Sequence, residues 1–298
     1  TNGGGNNGMG NLISNNIISN ITGSGAIFGI QIGNLGTTST ILGNTIYGLA
    51  SSGATSVTAI ATASPTSCLI SNNKIYNISS SNSGGTVLGL SVTGGTSHTV
   101  HNNIIGDLRT GVATTAITPN QVIGISCSGT TGAANIYYNT VRIAGTSTGA
   151  NFGSSALSVN TGMTLDLKNN ILINNCTPVG TGFAVAYRRS STTLTSYAST
   201  SNSNIFYAGT PGVSNLIFYD GTNSDQTLAA FKTRVANRDA NSKTENCTFT
   251  STNGSDAGFL QFASGSVTQA EGGATPVSGI TTDYNGNTRN ASTPDIGA

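Results

Sequence analysis

Charged side chains are so scarce in this sequence that each one is a candidate for chemistry. In the first 220 residues the only carboxylates are Asp107, Asp166 and Asp220. The usable cations there include Arg109, Arg142, Lys168, Arg188 and Arg189. Asp166 and Lys168 are two residues apart in a strand-like stretch, so they share one face. Asp107 and Arg109 have the same spacing inside the longest stretch between repeated motifs. Enzymes that cleave acidic polysaccharides gather carboxylates with an Arg or Lys base, and successive coils of a solenoid could bring Asp107, Arg142 and Asp166 together within charge-coupling range. The adjacent Arg188 and Arg189 could grip an acidic glycan bidentately. For every one of these residues an isolated surface pair or a solvated polar face is the plainer expectation.

Other chemistries have less support. His98 and His101 are three apart, which does not put both on one strand face. The cysteines Cys68, Cys127, Cys176 and Cys247 are far apart and contain no C-x-x-C pair, so no zinc or redox motif is written. Cys127 falls on the inward side of its strand, and a Cys176–Cys247 disulfide would require the C-terminal segment to fold back. The run Asp283–Asn287 matches the first three ligand positions of a calcium loop but lacks the Gly at position six and the Glu at position twelve, so it reads as a turn. No metal, cofactor or catalytic motif is expected. With 7% charged residues and a net charge of +1, the chain has no electrostatic footprint for nucleic acid. No apolar run reaches the roughly 18 residues of a spanning helix.

The elements that must position these residues follow from a repeat. An aliphatic-x-x-Asn-x-aliphatic motif recurs around Asn16, Asn44, Asn73, Asn103, Asn139 and Asn170, with a weaker copy at Asn204. Between successive copies falls one short strand, centred on Ile30, Ile60, Leu90, Ile125, Leu157, Val185 and Ile217. From each strand to the next Asn the spacing is 14, 13, 13, 14 and 13 residues and then 19, whereas from Asn to strand it varies from 13 to 22. One connection is therefore a fixed turn and the other a side that tolerates insertions. A period of about 31 residues with short β-branched runs excludes propeller blades and helical repeats of similar length. The expected fold is all-β: a right-handed parallel β-helix of about seven coils.

In such a coil alternate aliphatics point inward and stack on their counterparts about 4.8 Å away. The seven asparagines are expected to form an internal ladder, each accepting from one coil and donating to the next, and Asn also tolerates left-handed turn geometry. Low charge fits, because stacking would align like charges in columns. Tyr47, Tyr76 and Tyr207 occupy equivalent places after the Asn motif, as an exposed stripe for sugar stacking or, more simply, as packing beneath a loop.

Composition shifts near Gly221: 9 charged residues lie in positions 1–220 and 12 in 221–298. Residues 1–220 are read as the coils and 221–298 as a C-terminal cap continuous with them. Thr227–Arg238 has the spacing of one short amphipathic helix. "CTFTST" and "GFLQFAS" read as strands of one or two further coils, and "ITTDYNGNTR" as a strand entering a turn.

These features resemble the parallel β-helix repeat domains of secreted surface proteins of the Bacteroidota, many exported by the type IX route. "ISNNKIYNIS" is similar to the family's repeat, and "TLAAFKTRVANRDANSKTENCTFTS" to its helix, D-x-N-S turn and strand. The ending resembles its D-x-x-G-x-x-R … P-D-I-G-A signature, at Asp283, Gly286, Arg289, Pro294, Asp295, Ile296, Gly297 and Ala298. The resemblance implies the fold, export to the cell surface or medium, and further modules of the same polypeptide. A chain starting at Thr1 is read as a segment of such a protein. The functional expectation is a structural or adhesive module, holding any glycan or surface ligand along its variable-loop edge without entering a membrane. The alternative is a lyase or glycoside hydrolase with a groove along one sheet. An ice-binding or self-assembling unit would need Thr columns in register, which the sequence does not keep.

Overall fold

The structure, a computed structural model, describes residues 10–33, 38–63, 66–111 and 120–298. The chain winds as a parallel β-solenoid of about six turns, with one short helix near its C-terminal end. Each turn passes through three sheets. The first stacks Leu12–Ser14, Thr38–Leu42, Ser67–Ser71, Ser97–His101, Ala133–Tyr137 and Thr164–Lys168. The second stacks Ile17–Gly23, Thr45–Ser51, Lys74–Ser80, Ile104–Gly106, Thr140–Ile143, Ile171–Asn174 and Ile205–Tyr207, with Leu108–Thr110 beside Lys74–Ser80. The third runs from Ile27–Ile32 through Ser56–Ala63, Thr86–Thr93, Val122–Cys127, Ser154–Val159 and Ala184–Arg189 to Asn215–Tyr219, and closes on the antiparallel Ser224–Asp225.

The core follows from the vertical register. Ile18, Ile46, Ile75, Ile105, Val141, Leu172 and Phe206 are successive partners along the second sheet. Ile30, Ile60, Leu90, Ile125, Leu157, Tyr187 and Phe218 do the same along the third. No single turn could bury these side chains; stacking buries nearly all of them in one continuous cluster. The turn count is lower than the seven expected because residues 190–204 add no first-sheet strand. Isolated bridges from Leu165 to Tyr197 and Lys168 to Asn202 stand in for one.

The seven asparagines make one unbroken chain of hydrogen bonds. In each, the backbone N–H and the side-chain Nδ2 both donate to Oδ1 of the next, from Asn16 through Asn44, Asn73, Asn103, Asn139 and Asn170 to Asn204, at 2.9–3.1 Å. Each Nδ2 from Asn44 onward also reaches a carbonyl of the preceding coil, as from Asn103 to Ile70 at 2.9 Å. The ladder ends where Asn204 donates to Asp239 Oδ1 and Ser242 Oγ, the Asp and Ser of the D-x-N-S turn. The left-handed geometry falls one residue earlier than the ladder. Asn15, Gly43, Asn72, Asn102, Tyr138, Asn169 and Ser203 have φ between 51° and 66°, which turns the chain from the first sheet to the second and directs the following Asn inward.

The helix Leu228–Arg234 is shorter than the span read from sequence. Thr227 caps its start, Asp225 holds Arg234 through two contacts of 2.6 and 2.7 Å, and positive φ at Asn237 and Asp239 turns the chain into the end of the ladder. Phe231 seals the open end of the core against Phe206 and Phe218.

Beyond the helix the chain adds no further coils. Residues 244–298 form turns and isolated bridges rather than the expected strands, and run back along the outside of the second sheet. Cys247, Phe249, Phe259, Leu260, Ala270, Ala274 and Ile296 bury against Ile104, Tyr138, Ile171, Ile173 and Ile205. Those strands are apolar on both faces, so the outer face needs a cover as much as the inner one. The left-handed turn residues dock this cover: Asn72 donates to Tyr284 O, Asn102 to Thr282 O and Asn169 to Thr275 O. Arg289 lies 4.0 Å from the Tyr138 ring centroid and donates to Asn102 Oδ1 and Gly297 O at 2.9 Å. Asp283 accepts from Asn287 N–H and Nδ2, so this run is a closed turn. Residues 282–298 thus act as a clasp that holds the cover onto the rod.

Candidate functional site

Several hollows open among the described residues, and three of them adjoin the first and third sheets. On the first sheet, His101, Tyr137 and Lys168 are successive partners in register, so parity places all three outward. Tyr137 donates its phenolic hydrogen to Asp166 Oδ2 at 2.7 Å, Lys168 Nζ donates to the same oxygen at 2.8 Å, and Thr200 Oγ1 donates to Oδ1 at 2.9 Å. Lys168 Nζ also stands 5.6 Å from the Tyr137 ring centroid. This cluster opens on a hollow of about 570 Å³ closed on the far side by Thr275–Ser278. A second hollow of about 560 Å³ continues along the sheet past Thr99 and His101 to Ile280. Burial and, next, the Asp166 carboxylate hold the Tyr137 phenol well above its usual range. Burial and the nearby Arg289 guanidinium push the His101 imidazole down to about 4.

The third hollow, of about 390 Å³, lies at the C-terminal ends of the third-sheet strands and is lined by Ser126, Ser158, Asn160, Arg188, Ser190 and Tyr219 among others. Ser91, Ser126, Ser158, Arg188 and Tyr219 are vertical partners there. The Arg188 guanidinium sits 4.7 Å from the Tyr219 ring centroid, and its Nε donates to Ser155 Oγ at 3.1 Å. Burial pushes it down to about 10.

Arg188 and Arg189 do not act as a pair. Adjacent strand residues face opposite ways, and Arg189 points into the core, where it donates to Tyr187 Oη at 2.8 Å, Thr193 O at 2.7 Å and Ser196 Oγ at 3.0 Å. Both residues border the third hollow, but the Arg189 Nη1 and Nη2 are committed to these interior partners, so Arg188 alone presents its guanidinium on the outer face.

The grouping of Asp107, Arg142 and Asp166 also fails. Asp166 is on the first sheet, and Arg142 is on the outer face of the second, where burial lowers its basicity. Asp107 has φ 52° at a kink of the second sheet and pairs with Arg109 at 3.1 Å. Arg109 also contacts Asn77 and lies on Leu108–Thr110, paired with Ile78–Ser80. The two are thus part of a rung rather than of the variable connection, which begins after them. Tyr47 and Tyr76 stack at 4.9 Å, and Tyr76 packs against Phe259 of the returning segment, so this stripe is packing beneath a cover.

His98 is buried and bonds Gly94 O at 2.6 Å. All four cysteines are free and buried. The C-terminal segment does fold back, yet Cys176 belongs to the interior cluster and Cys247 to the outer one. Among the described residues no group of three or more His, Cys, Asp or Glu side chains gathers as a metal site, and no helix is long and apolar enough to cross a membrane.

Sequence reasoning missed Tyr137, Thr200 and Tyr219. Tyr137 was within reach: it and Lys168 each stand two residues before a ladder Asn, so stacking the motifs places one above the other. Thr200 lies where the repeat spacing breaks, and no motif marks it; Tyr219 ends the strand centred on Ile217, but its place beside Arg188 follows only from the register of the stacked strands. These three hollows, as lined by the described residues, lie away from the connections between the second and third sheets, where a ligand was expected. No family model matches the chain, and neither the curated proteins nor the solved structures provide a match.

Proposed function

We propose that this chain is a structural or adhesive β-solenoid module of a secreted or cell-surface protein, resembling those of the Bacteroidota type IX group. In this reading it is a stiff element that meets a glycan or another surface through its sides and continues into further modules of the same polypeptide. The observation that carries this reading is how the coils use their carboxylates. Asp107 is tied to Arg109, Asp166 to Lys168, Tyr137 and Thr200, and Asp220 to the amides of Thr222 and Asn223. Each one fixes local structure. The remaining surface offers hydroxyls and amides, the donors and acceptors that suit polyols.

A polysaccharide-active enzyme is the second reading, with its foothold in the Tyr137–Asp166–Lys168 cluster. A phenol whose ionisation is pushed up stays protonated at neutral pH and is not available as a base, which favours binding over proton abstraction. A glycan array run beside a lyase and hydrolase assay on acidic polysaccharides separates the two. Binding without new reducing or unsaturated ends is the expected result. Release of such ends, lost in Asp166→Asn, would establish the enzyme instead.

A further inference from the structure

Arg188 is a cation with no counter-ion. All ten carboxylates of the sequence lie among the described residues, and those in ion pairs are Asp107, Asp166 and Asp225, each with another partner. Asp220, one residue past Tyr219, is occupied by its own turn. The Arg188 residue is 8% exposed. Its Nε is satisfied by Ser155, whose hydroxyl in turn donates to Asn120 Oδ1, but its Nη2 is buried with no hydrogen-bond partner among the described residues. Leaving a dehydrated charge unpaired is costly, and a nearby anion would recover much of that cost.

The surroundings narrow the kind of anion. Ser126, Ser158, Asn160 and Ser190 line the same hollow with neutral donors and acceptors, and the Tyr219 ring forms part of its wall. One guanidinium, several hydroxyls and an aromatic face match a ring that carries many hydroxyls and one negative group.

We propose that the hollow around Arg188 is a subsite for an acidic sugar, with the guanidinium taking a carboxylate or sulfate oxygen and the serine hydroxyls and Asn160 taking ring hydroxyls. The proposal rests on the adhesive reading above and names its ligand class. Because Nη2 is covered, binding is accompanied by a small adjustment of Arg188 on Tyr219. The carboxylate of a uronic acid and the sulfate ester of a sulfated sugar share this chemistry.

The test is calorimetric titration of the intact chain with three oligosaccharides of equal length: an oligogalacturonate, a sulfated galactan fragment and a neutral galactan fragment. Arg188→Gln is expected to weaken binding of an acidic probe about 10- to 100-fold, the weight of one or two lost hydrogen bonds to charge, and to weaken binding of the neutral probe far less. Ser158→Asp, which sets a carboxylate on the rung beside Arg188, is expected to abolish acidic binding while keeping the melting midpoint. It guards against a folding defect in the first variant. Dependence on Arg188 with either acidic probe supports the subsite, and the probe that binds identifies the anion. Acidic binding that survives both substitutions overturns the subsite and leaves the adhesive reading standing, as does binding of the neutral probe alone. Absence of binding by all three probes overturns the subsite and the glycan arm of that reading together.

Discussion

Asn103 Oδ1 receives two hydrogen bonds from Asn73, one from its backbone N–H at 3.0 Å and one from its side-chain Nδ2 at 2.9 Å. The same carboxamide uses its own Nδ2 to reach Asn139 Oδ1 and the carbonyls of Ile70 and His101. Each ladder amide therefore satisfies polar groups on three successive rungs. That is why one residue type recurs there despite the apolar surroundings.

Replacing Asn103 with Leu removes the acceptor of the Asn73 backbone N–H and takes one donor each from the carbonyls of Ile70 and His101, in a buried site. The expected loss is about 1–3 kcal/mol, read as a fall in the denaturation midpoint. An unchanged midpoint would mean that the ladder is not holding the turn.

Gly124 sits where the third sheet kinks toward the second. A Cβ there would lie 2.3 Å from Val141 Cγ1 and 2.5 Å from Ala156 O. Gly124→Val should therefore destabilise the rod by about 1–3 kcal/mol or more through overpacking. Gly145→Ala, with nothing within 4 Å of the added carbon, should be close to neutral in the same melting experiment. Equal effects at the two sites would contradict the packing described.

Much of this architecture was legible in the sequence, and the parts that were not have physical causes. The Asn and aliphatic periods are direct images of stacking, so the sheets and the ladder could be read from spacing alone. The small residue at the kink of the first six third-sheet strands, Gly29, Ala59, Gly89, Gly124, Ala156 and Ala186, was equally visible but carries its meaning only once facing residues such as Ile46 and Val141 are known. Within the C-terminal cap, "CTFTST" and "GFLQFAS" read as strands of further coils because such short runs have strand composition, whereas the structure has turns and isolated bridges there. The clue was elsewhere: Ile171–Ile173 and Ile104–Ile105 break the in-out alternation, which signals a second buried face. The Arg188 hollow depends on which cations lack a partner, a property of three-dimensional neighbours that spacing does not encode.

Burial also has a consequence in acid. His101 is held at about 4 in the folded chain against an ordinary 6.5, so between those values the unfolded chain binds a proton that the folded chain does not. The stability contributed by the neutral imidazole is complete above about pH 6.5 and is lost as pH falls through 6.5 toward 4. His98, also pushed down by burial, adds in the same direction. Denaturation midpoints measured across this range should fall for the native chain and fall less steeply for His101→Gln. Parallel slopes would remove His101 from the explanation.

Arg289 ties the returning segment to Tyr138, Asn102 and Gly297 at once. Arg289→Ala is expected to raise amide exchange across residues 281–298 and to cost about 1–3 kcal/mol, while amides of the first-sheet strands keep their protection. Unchanged exchange in that segment would show that the clasp is held by apolar contacts alone.

Vertical stacking is tested most directly by distance. Thr38 and Thr164 are exposed, and their register runs through Ser67, Ser97 and Ala133, four rung steps apart. Spin labels placed on the two threonines should give one distance centred near 19 Å, four times the spacing between neighbouring strands. A broad distribution, or a separation beyond about 30 Å by that rung arithmetic, would contradict a stacked solenoid.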